Sequence, residues 1–254
     1  MSDRQLKVAF HTLGCKLNFS ETSAISHQME EAGFRKVPFD ESADIYFIHG
    51  CTVTRAADKK TRYIIKKTIR RYPEAFIVVA GCYAQLRQEE IAGIPGVDLI
   101  LGTNEKYDIL KYLGKLEKLS EPEIYNSDIT NIELFNPAYS AGDRTRAFLK
   151  IQDGCDYSCT YCTIPMARGK SRNQSIDACV KDAVAIADKG IKEIVLTGVN
   201  IGDYGKSTGE SFIDLLQALA EVKGIERYRI SSIEPNLLSD DIIKLLADNK
   251  KIMP

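Results

Sequence analysis

No run of about 18 apolar residues occurs in the 254-residue chain, which argues against a transmembrane helix. The N-terminus, Met1-Ser-Asp-Arg-Gln-Leu-Lys-Val-Ala-Phe10, opens polar and lacks the apolar core of a signal peptide, so a cytoplasmic location is expected. Neither sign of charge dominates. The 34 Lys and Arg against 35 Asp and Glu leave a net charge of −1, which excludes a general polyanion binder and confines any nucleic-acid contact to a local basic patch. Histidine is scarce, with none after His49, so a mixed Cys/His metal site in the second half would lack its imidazoles. There is no internal repeat and no low-complexity segment.

What is present is ordinary soluble-protein material. Hydrophobic residues make up 44% of the chain and charged residues 27%, enough apolar surface for one large domain or two smaller cores. The seven cysteines stand at 15, 51, 82, 155, 159, 162 and 179. An odd number in a chain expected to be cytosolic argues against a disulfide framework and points to metal or catalytic sulfur.

The residue pattern predicts an α/β fold. Strands are expected at Leu6–Thr12, Ile45–His49, Phe76–Ala80 and near Asp98–Leu101, with helices at about Ser20–Ala32, Arg55–Arg71 and Lys106–Leu113. Such alternation means a parallel open sheet with flanking helices. From about Ser120 to Arg144 the period fails among Pro122, Pro137 and scattered Asn, Asp and Ser, which reads as a linker. Alternation then resumes. A strand at Ala147–Gln152 is followed by a helix capped by Ser175, a strand at Lys192–Leu196, a helix at Phe212–Ala220, a strand at Arg227–Ser231 and a helix capped by Ser239. The expected division is 1–116, a linker over 117–143, and 144–254.

Cys155-Asp-Tyr-Ser-Cys159-Thr-Tyr-Cys162 has the spacing C-x3-C-x2-C. Three thiolates so close together can hold three irons of a cubane and leave the fourth open. The amino and carboxylate groups of S-adenosylmethionine can chelate that iron, and one electron then releases a 5′-deoxyadenosyl radical. Tyr161 is placed to pack against the adenine. The alternative is a zinc knuckle, for which the only later cysteine, Cys179, falls on the apolar face of a predicted helix. The segment resembles the signature of the radical S-adenosylmethionine superfamily. That resemblance implies a partial or full parallel (βα) barrel with the cluster in the loop after its first strand. It also suggests cofactor contacts at later strand ends, for which Thr197, Gly198, Asn200, Ser232 and Glu234 are candidates, with ordinary turn chemistry as the alternative at each.

Cys15, Cys51 and Cys82 are far apart in sequence, yet each lies one to three residues past a predicted parallel strand and directly follows a glycine. Parallel strands present their C-terminal ends on one edge, so the three thiols are expected to converge there. The alternative is three small hydrophobes in a core. Three strand-end cysteines, a linker and then C-x3-C-x2-C resemble the layout of the methylthiotransferases. The matching stretches are Thr12-Leu-Gly-Cys-Lys-Leu-Asn18, His49-Gly-Cys-Thr-Val-Thr54, Val79-Ala-Gly-Cys-Tyr-Ala-Gln85, Gln152 to Gly169, and Leu196-Thr-Gly-Val-Asn200. The resemblance implies two [4Fe–4S] clusters, the auxiliary one on Cys15, Cys51 and Cys82, and the use of two S-adenosylmethionine molecules per turn. One methylates a sulfur and the other yields the radical that activates a substrate carbon. It implies no catalytic side chain beyond the cluster ligands.

Members of that family act on adenosines beside the tRNA anticodon or on an aspartate of a ribosomal protein. Gly14-Cys-Lys-Leu-Asn18 resembles the branch acting on N6-threonylcarbamoyladenosine, with isopentenyladenosine and the protein aspartate as alternatives. The resemblance further implies an electron donor such as flavodoxin or ferredoxin, and a monomer is expected. A zinc-stabilised binding module without redox chemistry is the reading from a different class.

Charge independently favours RNA. Lys59, Lys60, Arg62, Lys66, Lys67 and Arg70 lie on the predicted helix that also carries Arg55 and Arg71, against one acid, Asp58. A solvated surface helix is the alternative. Arg144, Arg146, Arg168, Lys170 and Arg172 are expected to extend the track. Three strand–helix units after the linker are fewer than a barrel of the family holds, so the chain reads as truncated within its second domain.

Overall fold

A computed structural model describes residues 4–114, 116–140 and 145–254. The chain divides into two units, Met1–Ile129 with Tyr161–Ala167, and Thr130–Thr160 with Arg168–Pro254. Among the described residues no helix is long and apolar enough to cross a membrane.

The first unit runs β1 (Lys7–Thr12), α1 (Lys16–Glu31), β2 (Arg35–Val37), β3 (Ile45–Gly50), α2 (Arg55–Arg71), β4 (Phe76–Gly81), α3 (Cys82–Leu86), α4 (Gln88–Ala92), β5 (Leu99–Leu101), α5 (Ile109–Tyr112) and β6 (Glu123–Tyr125). All six strands are parallel, in the order β2-β1-β3-β4-β5-β6. Every residue of β3 and β4 is buried, as central parallel strands covered on both faces require. Successive side chains alternate between two cores. Tyr46, Ile48, Ile77 and Val79 share a cluster with Ile65 of α2, while Ile45, Phe47 and Val78 pack with Ile25 and Met29 of α1. Helix α2 starts where Thr54 Oγ1 accepts a 3.1 Å bond from Ala57 N. It ends at Arg71, two residues before Pro73, which biases the residue preceding it away from helix.

The second unit and the segment leading through it contain β7 (Ala138–Tyr139), β8 (Ala147–Lys150), β9 (Gln152–Asp153), α6 (Ile164–Arg168), β10 (Arg172–Asn173), α7 (Ile176–Asp188), β11 (Glu193–Thr197), α8 (Phe212–Ala220), β12 (Arg227–Ile230), α9 (Asp240–Asp248) and β13 (Ile252–Met253). Its sheet has the order β13-β12-β11-β8-β7, with β8, β11, β12 and β13 parallel and β7 antiparallel on one edge. Four parallel strands joined through helices make a partial (βα) barrel wall. Ser175, Ser211 and Ser239 cap α7, α8 and α9, and the apolar faces of the first two, with Ile242 from α9, meet Leu149, Ile194, Leu196 and Tyr228 in one core.

Two expectations change. The stretch expected as a linker supplies β6, paired to β5 through Leu99↔Glu123, and β7, paired to β8 through Ala138↔Lys150. These strands are too short, and β6 too exposed, to show a burial period in sequence. Residues 141–144, Arg144 among them, lie outside the described residues. The single strand expected over Ala147–Gln152 breaks at Ile151. Beyond the break β9 pairs antiparallel with β10, through Asp153↔Arg172 and Gln152↔Asn173.

That short ribbon is built around Asp153, which is 1% exposed. Its Oδ1 accepts from Gly154 N and Arg168 Nη1, both at 2.8 Å. Its Oδ2 accepts from Arg172 Nη2 at 3.1 Å and lies 2.9 Å from Lys150 Nζ. All three cations are buried. Removing one partner of a buried charged network costs about 3–5 kcal/mol, because the remaining charges stay desolvated. Asp153→Ala is therefore expected to lower unfolding stability by about that amount in urea melts. Lys192→Ala removes an exposed 3.9 Å pair with Glu226 and should leave the melt unchanged. Equal midpoints for the two variants would contradict this account of the ribbon.

Candidate metal centres

In the first unit the ladder levels the strand ends. Thr12 pairs with His49, His49 with Ala80, and Gly50 with Gly81. Cys51 and Cys82 are the next residues of β3 and β4. Leu13 N donates to His49 O at 2.9 Å, which carries the exit of β1 past the same edge towards Cys15. The order β2-β1-β3 reverses direction between β1 and β3, so this edge lies at the topological switch point, where open α/β sheets bind ligands. Asn18 Nδ2 donates to Leu13 O at 2.9 Å and Gly50 O at 3.4 Å, tying the two turns together. Gly14 has φ +112°, and a Cβ there would lie 2.8 Å from Cys51 Cβ and 3.1 Å from its Sγ. Only glycine lets the Cys15 turn come so close to Cys51. Gly81 has φ +91°, and a Cβ on it would stand 2.3 Å from the His49 ring. Cys15 is exposed, and Cys51 and Cys82 are 7% and 2% exposed.

A buried polar network fixes this edge from below. Glu21 Oε2 lies 3.0 Å from Lys106 Nζ and 3.6 Å from His49 Nε2, with all three side chains fully buried. Tyr107 OH donates to Glu21 Oε1 at 2.7 Å, and Thr22 Oγ1 is 2.8 Å from His49 Nδ1. The network joins α1, the last turn of β3 and the turn after β5, the elements that carry or flank Cys15 and Cys51.

In the second unit Cys155 is partly exposed and Cys159 exposed, while Cys162, partly exposed, belongs to the Tyr161–Ala167 segment of the first unit. The base of the loop is fixed by backbone. Cys155 N donates to Gly169 O at 3.0 Å, and Ser171 N to Asp156 Oδ1 at 2.9 Å. Gly154 has φ +70°, and its missing Cβ would lie 2.0 Å from Lys170 O, so no other residue fits. Gln152, fully buried, links the loop to the end of β11. Its Nε2 donates to Gly154 O at 2.7 Å and Ser171 Oγ at 2.9 Å, and its Oε1 accepts from Val199 N at 2.9 Å and Asn200 N at 3.0 Å. Sequence reasoning did not single out Gln152; its one signal was its place at the foot of the cysteine loop.

The expected strand-end contacts separate into two kinds. Thr197 Oγ1 donates to Val195 O at 3.0 Å, and Gly198 sits where a Cβ would strike Gln152 and Ile201, so both also have a part in the local packing. Ser232 and Glu234 are exposed, and Tyr161 is 87% exposed. Asn200 is 4% exposed; its Oδ1 accepts from Glu234 N at 3.2 Å and its Nδ2 is buried with no hydrogen-bond partner among the described residues. An orphaned buried donor at a strand C-terminus fits a bound polar cofactor. Cys179 is fully buried on α7, 3.8 Å from Tyr204 OH. Burial pushes its thiol up to about 12, so it is a core thiol and offers no fourth thiolate.

Among the described residues no three His, Cys, Asp or Glu side chains close to single-ion distance. A lone zinc takes sulfur at about 2.3 Å and needs its ligands nearly touching. Each set is three cysteine sulfurs, the donor chemistry that a cubane takes at its separate corners.

The basic residues also divide. Lys59, Lys60, Lys66, Lys67 and Arg70 are exposed on α2. Arg62 is turned away, with Nη1 2.5 Å from Glu90 Oε1 and 3.2 Å from Tyr83 OH, and so leaves the expected RNA face. Arg168 and Arg172 are buried on Asp153, and Arg146 lies 3.5 Å from Glu193, so among the described residues the track expected beyond α2 reduces to Lys170. A cavity of about 650 Å³ lined by Thr145, Arg146, Lys192, Glu193, Glu226 and Arg227 lies at the N-terminal ends of β11 and β12, away from the strand ends that carry chemistry. Burial raises the Glu193 carboxyl there, but hydrogen bonds from Arg227 and Arg229 outweigh it and hold it below 4.5.

Residues 7–102 match the uncharacterized protein family UPF0004, and residues 149–253 the radical SAM superfamily. The chain is 43% identical over 252 residues to the threonylcarbamoyladenosine tRNA methylthiotransferase MtaB of Bacillus subtilis, covering 97% of this chain and 55% of that protein. It is 37% identical over 253 residues to the MtaB of Aquifex aeolicus, covering 98% and 61%. The chain thus spans somewhat more than half the length of these relatives. Among solved structures, the radical S-adenosylmethionine methyltransferase TsrM from Kitasatospora setae, with tryptophan substrate and a SAM analog bound, superposes with a TM-score of 0.54 at 13% identity. That match covers 98% of this chain and 67% of TsrM, and it is a likeness of fold alone. With relatives that align along nearly its whole length, the chain belongs to the radical S-adenosylmethionine methylthiotransferase family.

Proposed function

We propose that the chain carries the cluster-binding part of an enzyme that converts N6-threonylcarbamoyladenosine beside the tRNA anticodon to its 2-methylthio derivative. The observation that carries this reading is the levelled edge of β1, β3 and β4, which gathers Cys15, Cys51 and Cys82 at a switch point. The names of the MtaB relatives support the substrate. In this reading Cys155, Cys159 and Cys162 ligate one [4Fe–4S] cluster, and Cys15, Cys51 and Cys82 a second. When bound, the first supplies one-electron cleavage of S-adenosylmethionine and the second supplies sulfur for transfer.

The chain's own residues orient these groups. Gln152 and Asp153 fix the loop of the first cluster, and the Glu21–His49–Lys106 network fixes the edge under the second. Asn200 Nδ2 offers a buried donor to S-adenosylmethionine, and Tyr161 a ring to its adenine. Ser232 and Glu234 contribute at the mouth. The exposed cations of α2 hold tRNA phosphates. The working protein is a cytoplasmic monomer that draws electrons from a flavodoxin or ferredoxin. Its functional division follows residues 1–116 and 144–254.

Anaerobic reconstitution with iron and sulfide is expected to give about eight irons per chain. Replacing Cys15, Cys51 and Cys82 together by Ala should leave about four, as should replacing Cys155, Cys159 and Cys162. Bound zinc with no acid-labile sulfide would overturn the reading. For the substrate, tRNA nucleosides from cells lacking the protein are expected to lose methylthio-threonylcarbamoyladenosine and accumulate its precursor by mass spectrometry. An unchanged level, with no second enzyme able to make it, would rule the substrate out.

A further inference from the structure

The exposed face of α2 holds more than charge. Tyr63 is 56% exposed, on the side of the helix away from its buried stripe of Thr61, Ile65 and Thr68. The residues three and four positions before it are Lys60 and Lys59, and those three and four after it are Lys66 and Lys67. On a helix surface such positions are the immediate neighbours, about 5–6 Å apart. The four flanking positions of Tyr63 are therefore all lysine, and Arg70 extends the same stripe by two turns.

This arrangement costs the isolated helix something, because like charges three and four apart repel. No acid relieves it. Asp58, the one carboxylate of α2, is half-buried in the first turn, and Glu90 is held by Arg62. Among the described residues none of the five cations is in an ion pair, and Tyr63 makes no ring contact. The other tyrosines around this sheet are used in packing; Tyr46 stacks on Tyr72 with ring centroids 4.8 Å apart, and Tyr83 is fully buried.

From this we infer that Tyr63 is a stacking platform for one unpaired RNA base, with Lys59, Lys60, Lys66 and Lys67 holding the phosphates on either side. The inference rests on the tRNA reading above and deepens it by naming where a looped-out nucleotide is held. A flat aromatic face set among cations is the chemistry that binds single-stranded nucleic acid, because every base has a π-face and every nucleotide a phosphate. A duplex keeps its bases stacked inside and would use the lysines alone. An acidic protein would likewise use the charges without needing the ring. Tyr63 lies eight residues into α2, about 12 Å from its first residue, and that residue follows Cys51 by four. The held base would lie within a few nucleotides of the cysteine edge.

The chain contains no tryptophan, so Tyr63→Trp creates its one tryptophan at the platform, excited selectively over the remaining tyrosines, and preserves an aromatic face. Titration of the full chain with an RNA stem–loop is expected to quench this emission, while a blunt RNA duplex binds without quenching. Tyr63→Ala should weaken stem–loop binding about ten- to a hundredfold with an unchanged salt slope, and Tyr63→Phe should bind as the parent does. Lys59→Gln and Lys66→Gln should each lower the salt slope by about 0.7 to 1. Unquenched tryptophan at saturating stem–loop, with Tyr63→Ala binding within about twofold of the parent, would overturn the platform and leave the RNA reading intact. Failure of the parent chain to bind RNA at all would overturn both. Quenching by an acidic flavodoxin without any by RNA would reassign the face to a protein partner and overturn the inference.

Discussion

Hydrogen bonding between parallel strands fixes where they end. Once β1, β3 and β4 are in register, the residues that leave their C-termini must emerge on one edge, however far apart they lie in sequence. That constraint puts the residues following β3 and β4, Cys51 and Cys82, on one edge, and Asn18 ties the Cys15 turn to it. The glycines before them follow from it. Gly14 and Gly81 both adopt positive φ, and a side chain on either would strike Cys51 or His49. The buried Glu21–His49–Lys106 network follows too, since three fully desolvated charged or polar groups persist only where each holds another. Cys155, Cys159 and Cys162 meet the same need with a different device. They are close in sequence, so no sheet edge has to gather them, and the ribbon built on Asp153 and Gln152 fixes the base of their loop.

Much of this was legible in the sequence for identifiable reasons. Ile45–Ile48 and Phe76–Ala80 are unbroken apolar runs, as expected of strands covered on both faces. Ser175 and Ser239 preceded apolar periodic segments and do cap α7 and α9. What stayed hidden depended on pairing between distant residues. Glu123–Tyr125 becomes a strand because β5 offers it an edge, and its own exposed side chains carry no sign of it. Arg62, Arg168 and Arg172 read as free positive charge, yet Glu90 and Asp153 hold them. Thr197 read as a cofactor contact, but its hydroxyl is bonded to its own strand. Asn200 stands out within the set through an unpartnered Nδ2, a property no sequence displays. Tyr63 was present in the basic helix all along, and only its exposure separates it from the core tyrosines.

These corrections narrow the functional reading. Among the described residues, the proposed nucleic-acid surface contracts from a track along both halves to one stripe of α2, with the exposed Tyr63 at its centre. Among the proposed cofactor contacts, Asn200 stands out by its buried, unpartnered Nδ2, and Gln152 holds its backbone. The family relationship is carried by alignment along nearly the whole chain, while the chain itself spans 55–61% of the two MtaB proteins compared. The proposed division of labour is a sulfur-bearing edge on Cys15, Cys51 and Cys82 and a radical-generating loop on Cys155, Cys159 and Cys162.

The central claim is that two separate iron–sulfur sites are built from those two cysteine sets. Anomalous diffraction at the iron edge, from crystals of the anaerobically reconstituted chain, tests it most directly. The account predicts two iron peaks per chain, one against Cys15, Cys51 and Cys82 and one against Cys155, Cys159 and Cys162. A single iron peak, or a position whose anomalous signal rises across the zinc edge and not across the iron edge, would contradict it.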